Sequence, residues 1–101
     1  WITAMDSAQD HQFAFNEALS FSVECADQAE VDHYWDLLSA VPESEQCGWL
    51  KDKFGVSWQI VPKQLGEFMG GSDPERSARV MTAFMSMKKF DIAALQAAYD
   101  G

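Results

Sequence analysis

The chain has 101 residues, of which 48% are hydrophobic and 23% charged, and it contains two cysteines. This length holds one small domain, because domains usually run to roughly 100–150 residues, and the composition is that of a folded chain. The 7 Lys and Arg against 16 Asp and Glu give a net charge of -9, which repels phosphate backbones and argues against nucleic-acid binding.

The sequence also argues against a membrane protein. No apolar run approaches the roughly 20 residues of a transmembrane helix, and the first residues lack the basic region of a signal peptide. Two cysteines are too few for a disulfide scaffold. We therefore expect a cytoplasmic protein with reduced thiols.

The first part of the chain alternates like β-structure. Trp1 to Met5 predicts a short strand, and a polar linker follows to about Phe15. From Leu19 to Cys25 apolar residues alternate strictly with polar ones, which is typical of a half-buried strand. The polar side chains of this strand are Ser20, Ser22 and Glu24.

An amphipathic helix is predicted from about Gln28 to Ser39. Asp27 supplies an acidic N-cap, and Glu30 follows three residues later. The segment Val41 to Ser44, which contains Pro42, ends this helix. Its apolar residues at helical spacing are Val31, Tyr34, Trp35 and Leu38.

Two β-prone segments come next in the chain. They run from Gln46 to Lys51 and from Val56 to Val61, joined by a turn over 52–55. A further short strand near Glu43 to Gln46 is an alternative that the sequence leaves undecided. Pro62 cannot donate a ladder hydrogen bond, so it ends the last strand.

Three helices are predicted in the remaining chain. The first runs from Gln64 to Met69 and is closed by Gly70 and Gly71. Asp73 and Pro74 start the second, and Asp91 caps the third. The methionines of the second helix indicate core packing, with a role in dimerisation as the alternative. Its apolar stripe is Val80, Met81, Phe84 and Met85.

The residues that could carry chemistry form no catalytic or metal-binding motif. Neither His11 nor His33 has another potential metal ligand at the sequence spacing of a known metal-binding motif. We interpret His33 as a surface residue. Cys25 and Cys47 are interpreted as packing residues, with Cys47 beside Gly48 the better candidate for a reactive thiol. We assign no catalytic residue.

The segment from Cys47 to Pro62 is dense in Trp, Cys and Gly. On its second strand, Ser57 and Gln59 face one way, and Trp58 and Ile60 face the other. A polar face centred on Gln59 and backed by an aromatic face suits either a solvated sheet surface or the wall of a cup.

This same segment, CGWLKDKFGVSWQIVP, resembles the signature of the bacterial PhnB-like, "3-demethylubiquinone-9 3-methyltransferase" domain proteins. That family lies in the glyoxalase/bleomycin resistance, or vicinal oxygen chelate, superfamily. Similar matches occur over Phe15 to Phe21, Glu30 to Trp35 and Met87 to Leu95, and the resemblance spans about 1–101. It implies an α+β fold in which βαβββ modules pair, so that their curved sheets form a cup around the ligand site.

The resemblance divides the chain into three parts. Residues 1–15 correspond to the last strand of a preceding module plus a linker, residues 16–63 to one βαβββ module, and residues 64–101 to a C-terminal helical tail. One module alone would leave an unpaired edge and an exposed inner sheet face. We therefore expect a partner, either a second copy in a homodimer or a preceding module of the same polypeptide.

The resemblance also implies where a ligand would lie. Metal-dependent members place a His or Gln on the first strand of a module and a Glu on the last. Gln59 stands in the Glu position and is the candidate metal ligand, whereas Ala18, at the first-strand position, has no donor atom. The side chains expected to line the cup are Ser20, Ser22, Ser57, Gln59 and Trp49.

Two functions follow from the resemblance. The cup holds a small organic ligand, or the protein is a metal-dependent glyoxalase- or dioxygenase-type enzyme that acts on a vicinal-oxygen substrate. The methyltransferase name has no motif behind it, because no Gly-rich loop follows a first strand, and Gly70 and Gly71 follow a short helix. We therefore expect no S-adenosylmethionine or nucleotide cofactor, and a divalent metal stays open.

Overall fold

The computed structural model describes all 101 residues, and its fold is of the mixed α+β class, as predicted. Four α-helices accompany a three-stranded sheet, and a short 3-10 helix, Pro42–Ser44, lies before the second strand. In chain order the elements are β1 (Ser20–Cys25), α1 (Gln28–Leu38), β2 (Trp49–Lys51), β3 (Ser57–Pro62), α2 (Lys63–Met69), α3 (Pro74–Met85) and α4 (Ile92–Asp100).

The sheet has the strand order β1, β3, β2. The central strand β3 runs parallel to β1 and antiparallel to β2. The outer edge of β1 is unpaired, whereas that of β2 is bonded to the backbone of Gln46 and Ala40. Helix α1 makes the crossover between the parallel strands, and the Asp27 carboxylate caps it by accepting a 2.9 Å hydrogen bond from the Glu30 amide. The predicted capping residue is therefore the one that starts the helix.

One face of the sheet, here called the covered face, packs against α1. Because side chains alternate along a strand, Cys25, Leu50 and Ile60 point to this side, where they form a core with Val31 and Trp35 of α1. Cys25, Leu50 and Ile60 are at most 1% exposed. Leu19 and Phe21, which share the alternation that predicted this strand, remain 59% and 40% exposed because the buried end of β1 is the Cys25 end.

The opposite side, here called the open face, carries mainly polar side chains. The register places Ser20 beside Ser57, and Gln59 between Ser22 and Trp49. Most of these residues are half-buried or exposed. The residues that define the open face are Ser20, Ser22, Trp49, Lys51, Ser57 and Gln59.

The three C-terminal helices form a second core around Phe68, Val80, Phe90 and Leu95. All three were predicted, with Gly70 at the end of α2 and Asp73 and Asp91 as caps of α3 and α4. The predicted stripe on α3 is only partly buried: Val80 is 0% exposed, but Met81 and Met85 are 47% and 59% exposed, because α2 and α4 cover one side of α3.

The helical tail is held to the sheet by backbone hydrogen bonds. The amides of Cys47 and Gly48 donate to the carbonyls of Met87 and Lys88, both at 2.8 Å. Gly48 has a φ of 83°, and a side chain there would overlap the Phe90 ring. The positive φ and the close contact with the Phe90 ring both favour glycine at this position.

A side-chain bridge adds to this junction between sheet and tail. The Gln28 amide donates to the Phe90 carbonyl at 2.9 Å and accepts from the Ile92 amide at 2.8 Å. It thereby joins the start of α1 to the start of α4, 64 residues further along the chain.

Two of the predicted strands are absent from the structure. Residues 1–15 contain no strand, and Trp1, Ile2 and Met5 are each at least 79% exposed, because this segment pairs with neither edge of the sheet. The segment near Glu43 to Gln46 forms the 3-10 helix and a single bridge between Gln46 and Trp49. The assignment of residues 1–15 to a preceding module stays a prediction.

The strand predicted from Gln46 to Lys51 is shorter than expected. Cys47 and Gly48 both have positive φ angles, 50° and 83°, which an extended strand does not accommodate. Strand β2 therefore begins only at Trp49. None of the helices combines the length and the apolarity that crossing a membrane would need.

Candidate functional site

The five side chains predicted to line a cup lie together on the open face. Ser20 and Ser22 come from β1, Ser57 and Gln59 from β3, and Trp49 from β2. The Gln59 side-chain amide donates a 2.9 Å hydrogen bond to the Ser20 hydroxyl, which orients it across the two strands. The sheet thus forms a continuous polar surface with one tryptophan at its side.

A cavity of about 600 Å³ opens beside the β2 side of this surface. Two of the predicted lining residues, Trp49 and Ser57, belong to its wall, whereas Ser20, Ser22 and Gln59 lie outside it on the same face. The rest of the wall combines the end of α3 with residues before β1 and with residues before and within β2. These further lining residues are Glu17, Glu43, Ser44, Gln46, Cys47, Leu50, Lys51 and Met85.

Ser57 stands out among the polar groups of the cavity wall. Its side chain is 1% exposed, and its hydroxyl oxygen is buried without a hydrogen-bond partner. Leaving a buried hydroxyl unpaired costs about 1–3 kcal/mol, and such a group in a native structure calls for an explanation. A ligand atom in the cavity would supply the missing partner.

The tryptophans differ in how their indole N–H groups are held. Trp35 donates to the Glu45 carboxylate at 3.0 Å, and Trp58 donates to the Asp52 carboxylate at 2.9 Å. No such bond holds Trp49, which is half-buried in the cavity wall. Its ring face and N–H are therefore both open to a bound molecule.

The cavity wall also contains an ion pair that the sequence did not indicate. The Lys51 ammonium group hydrogen-bonds the Glu17 carboxylate. This hydrogen bond, together with a backbone hydrogen bond and the Lys51 charge, lowers the pKa of Glu17 below its usual value. Glu17 precedes β1, so only the folded register brings it to Lys51, and no spacing in the sequence predicts the contact.

The residues of this chain do not by themselves fit a metal centre. No group of three or more His, Cys, Asp or Glu side chains converges on one point. The side-chain nitrogen of the candidate ligand Gln59 is engaged with Ser20, and Ala18 lies in the turn before β1. An amide oxygen alone is a poor site for a hard divalent cation.

The two cysteines, both free thiols, occupy different environments. Cys25 is fully buried in the core, where desolvation, with smaller effects of Glu30 and Asp27, raises the pKa of its thiol. Cys47 is half-buried in the cavity wall, with its sulfur 3.4 Å from the Met85 carbonyl.

The histidines take no part in the cavity. His33 is exposed and packs edge-on against Tyr34. His11 contacts the Ser7 hydroxyl at 2.9 Å in the segment before β1. Neither residue lines the cavity wall.

Comparison with known proteins places this sheet in a family. The sequence model of the family described as 3-demethylubiquinone-9 3-methyltransferase matches residues 1–61. The matched part includes β1, α1 and β2, nearly all of β3, and every residue of the open face. No curated protein matches the chain. Since the family model covers more than half of the sequence, the chain belongs to the 3-demethylubiquinone-9 3-methyltransferase domain family, which is glyoxalase/bleomycin-resistance-like.

Proposed function

We propose that this chain binds a small organic ligand against the open face of its sheet, in a cup that a second module completes. The observation that carries the proposal is the cavity of about 600 Å³ with the unpaired Ser57 hydroxyl buried in its wall. Ligand sites commonly have volumes of about 300–1,000 Å³, with an apolar lining and a few polar groups. The cavity beside the open face falls in this range of volume, and its wall combines four apolar residues with six polar or charged ones.

The apolar part of the wall supports the proposal. Trp49 is half-buried and Met85 is 59% exposed, so both offer surface that a ligand can cover. Covering such surface contributes roughly 25 cal/mol for each Å² removed from water. An organic molecule would gain this energy, whereas a small ion would not.

One edge of the sheet supports a second module. β1 presents one unpaired edge, and Phe15, Leu19 and Phe21 are exposed beside or on it. Unpaired edges and contiguous apolar residues are features of surfaces that associate. We propose that the partner is a second copy of the chain or a preceding module of the same polypeptide.

The alternative function is a metal-dependent enzyme of the glyoxalase or dioxygenase type. Gln59 is the single candidate ligand in this chain, so the second module would have to bring most of the others. The family name also includes methyl transfer. For this chemistry the turn between β1 and α1 consists of Ala26 and Asp27 and contains no glycine-rich loop.

Native mass spectrometry of the purified protein tests the proposal. We expect a bound organic molecule that Trp49→Ala releases and that Phe54→Ala retains, since Phe54 is an exposed aromatic residue outside the cavity. Light scattering on the same sample should give a dimer if the partner is a second copy. A monomer without ligand would contradict the proposal, and stoichiometric Ni, Zn or Mn would favour the enzyme instead.

A further inference from the structure

The polar groups of the cavity wall restrict the chemical class of the ligand, an inference that rests on the proposed function. We infer that the ligand is not an anion, is mainly apolar or aromatic, and carries a hydroxyl or carbonyl group that pairs with Ser57.

The polar side chains around Ser57 are already engaged with one another. Lys51, its neighbour on β2, is paired with Glu17, and Ser20, its neighbour on β1, accepts from Gln59. Ser57 alone among them is buried without a partner. A hydroxyl can both donate and accept, so an alcohol or a carbonyl group on a ligand would satisfy it.

The charges of the wall disfavour an anionic group at the Ser57 position. Lys51 is the only cationic side chain of the wall, and Glu17 already neutralises it. A carboxylate or phosphate would therefore lie without a counter-ion, near Glu43 and in a chain of net charge -9. Burying such an unpaired charge is costly.

The remaining surface suits a flat apolar body. Trp49 offers an aromatic face, and the flexible thioether of Met85 can adapt to the shape of a ring. The Ser57 hydroxyl is buried, so pairing with a ligand requires its side chain to rotate to another staggered position. The wall thus sets this hydroxyl beside apolar surface of Trp49 and Met85, and its other uncharged polar side chains are Ser44 and Gln46.

Three probes of nearly equal shape test the inference by equilibrium dialysis: 1-indanol, indane and indane-1-carboxylate. We expect the native protein to bind 1-indanol about tenfold more tightly than indane, the effect of about one net hydrogen bond, and to bind the carboxylate most weakly. In Ser57→Ala the preference for 1-indanol over indane should fall to about one. Ser72→Ala, which changes an exposed serine between α2 and α3, away from the cavity wall and the open face, should leave it unchanged.

The outcomes separate this inference from the proposed function. Equal binding of 1-indanol and indane, or tightest binding of the carboxylate, would overturn the class of non-anionic, hydrogen-bonding ligands and leave ligand binding intact. A preference for 1-indanol that survives in Ser57→Ala would also overturn it. If no probe binds while native mass spectrometry shows a retained ligand, the inference alone is wrong. If no probe binds and no ligand is retained, the inference and the proposed function are both wrong.

Discussion

The covered face and the open face are made by the same three strands, yet their side chains differ in burial and in polarity. On the covered face, Cys25, Leu50 and Ile60 are almost fully buried against α1. On the open face, Ser22 is exposed, Gln59 is half-buried, and Ser57 is buried with an unpaired hydroxyl.

The difference shows how a small sheet divides stability from binding. Apolar burial on one side holds the fold together, so the other side is free to keep polar groups and a cavity that contribute little to folding. A shift of one residue along a strand would move every apolar side chain from the covered face to the open face, and every polar side chain the other way.

The reactivity of the two thiols should differ most. We expect iodoacetamide to modify Cys47 at least about a hundredfold faster than Cys25, because Cys25 reacts only when the core opens. Peptide mapping by mass spectrometry over a time course measures both rates in one sample. In urea above the unfolding midpoint the two rates should converge, and similar rates in the native protein would show that the covered face is not closed.

The next largest effect is the loss of a core side chain. Ile60→Ala should lower the free energy of unfolding by about 2–5 kcal/mol, because it leaves a cavity among Leu50, Val31 and Trp35. Urea denaturation followed by tryptophan fluorescence gives this value. A loss below about 1 kcal/mol would mean that α1 packs loosely on the covered face.

The junction between sheet and tail gives a third test. Gly48→Ala should destabilise the protein by about 1–3 kcal/mol, because the new methyl group overlaps Phe90 and the φ of 83° disfavours any side chain. Gly66→Ala is the matched control: Gly66 lies inside α2 with open space around it, so that change should be neutral or stabilising. Equal effects in urea denaturation would contradict the close approach at Gly48.

The parts of this comparison that the sequence predicted are those set by local pattern. The Asp27 cap, the helix after it and the opposite facing of Ser57 and Ile60 follow from periods of 3.6 and 2 within a few residues. The grouping of the five lining residues was implied by family resemblance, and the register of β1, β2 and β3 places them on one face.

The parts that the sequence could not predict depend on distant contacts. The Lys51–Glu17 pair and the Gln28 bridge to Phe90 and Ile92 join residues 34 or more positions apart, and no local period encodes them. The cavity combines residues before β1 with the end of α3, so it exists only once the tail is docked. The positive φ of Cys47 shortened β2, and a cysteine gives no signal for that conformation.

A fourth prediction concerns the pH dependence of the turn that joins β2 to β3. Burial acts to raise the pKa of Asp52, but hydrogen bonds from Trp58 and from the amides of Val56, Phe54 and Gly55 outweigh it and lower the pKa. A lowered folded-state pKa contributes stability above the unfolded value of about 3.9, and this contribution is lost as pH falls through the folded value.

Asp52→Asn tests this pH dependence. The variant should be about 1 kcal/mol less stable than the native protein at pH 7, and the difference should shrink as the pH falls below about 4. Urea denaturation at several pH values measures it. A difference that stays constant down to pH 2 would show that the Asp52 charge contributes nothing.

The smallest effect is expected on the open face itself. Gln59→Ala removes the 2.9 Å hydrogen bond to Ser20 but leaves a half-exposed serine that water can satisfy. It should therefore change the free energy of unfolding by less than about 1 kcal/mol. Gln59 and Ile60 are neighbours on one strand, so the ratio of their effects compares the two faces directly. If Gln59→Ala costs as much as Ile60→Ala in urea denaturation, the open face is part of the folding core, and its polar groups are not free for binding.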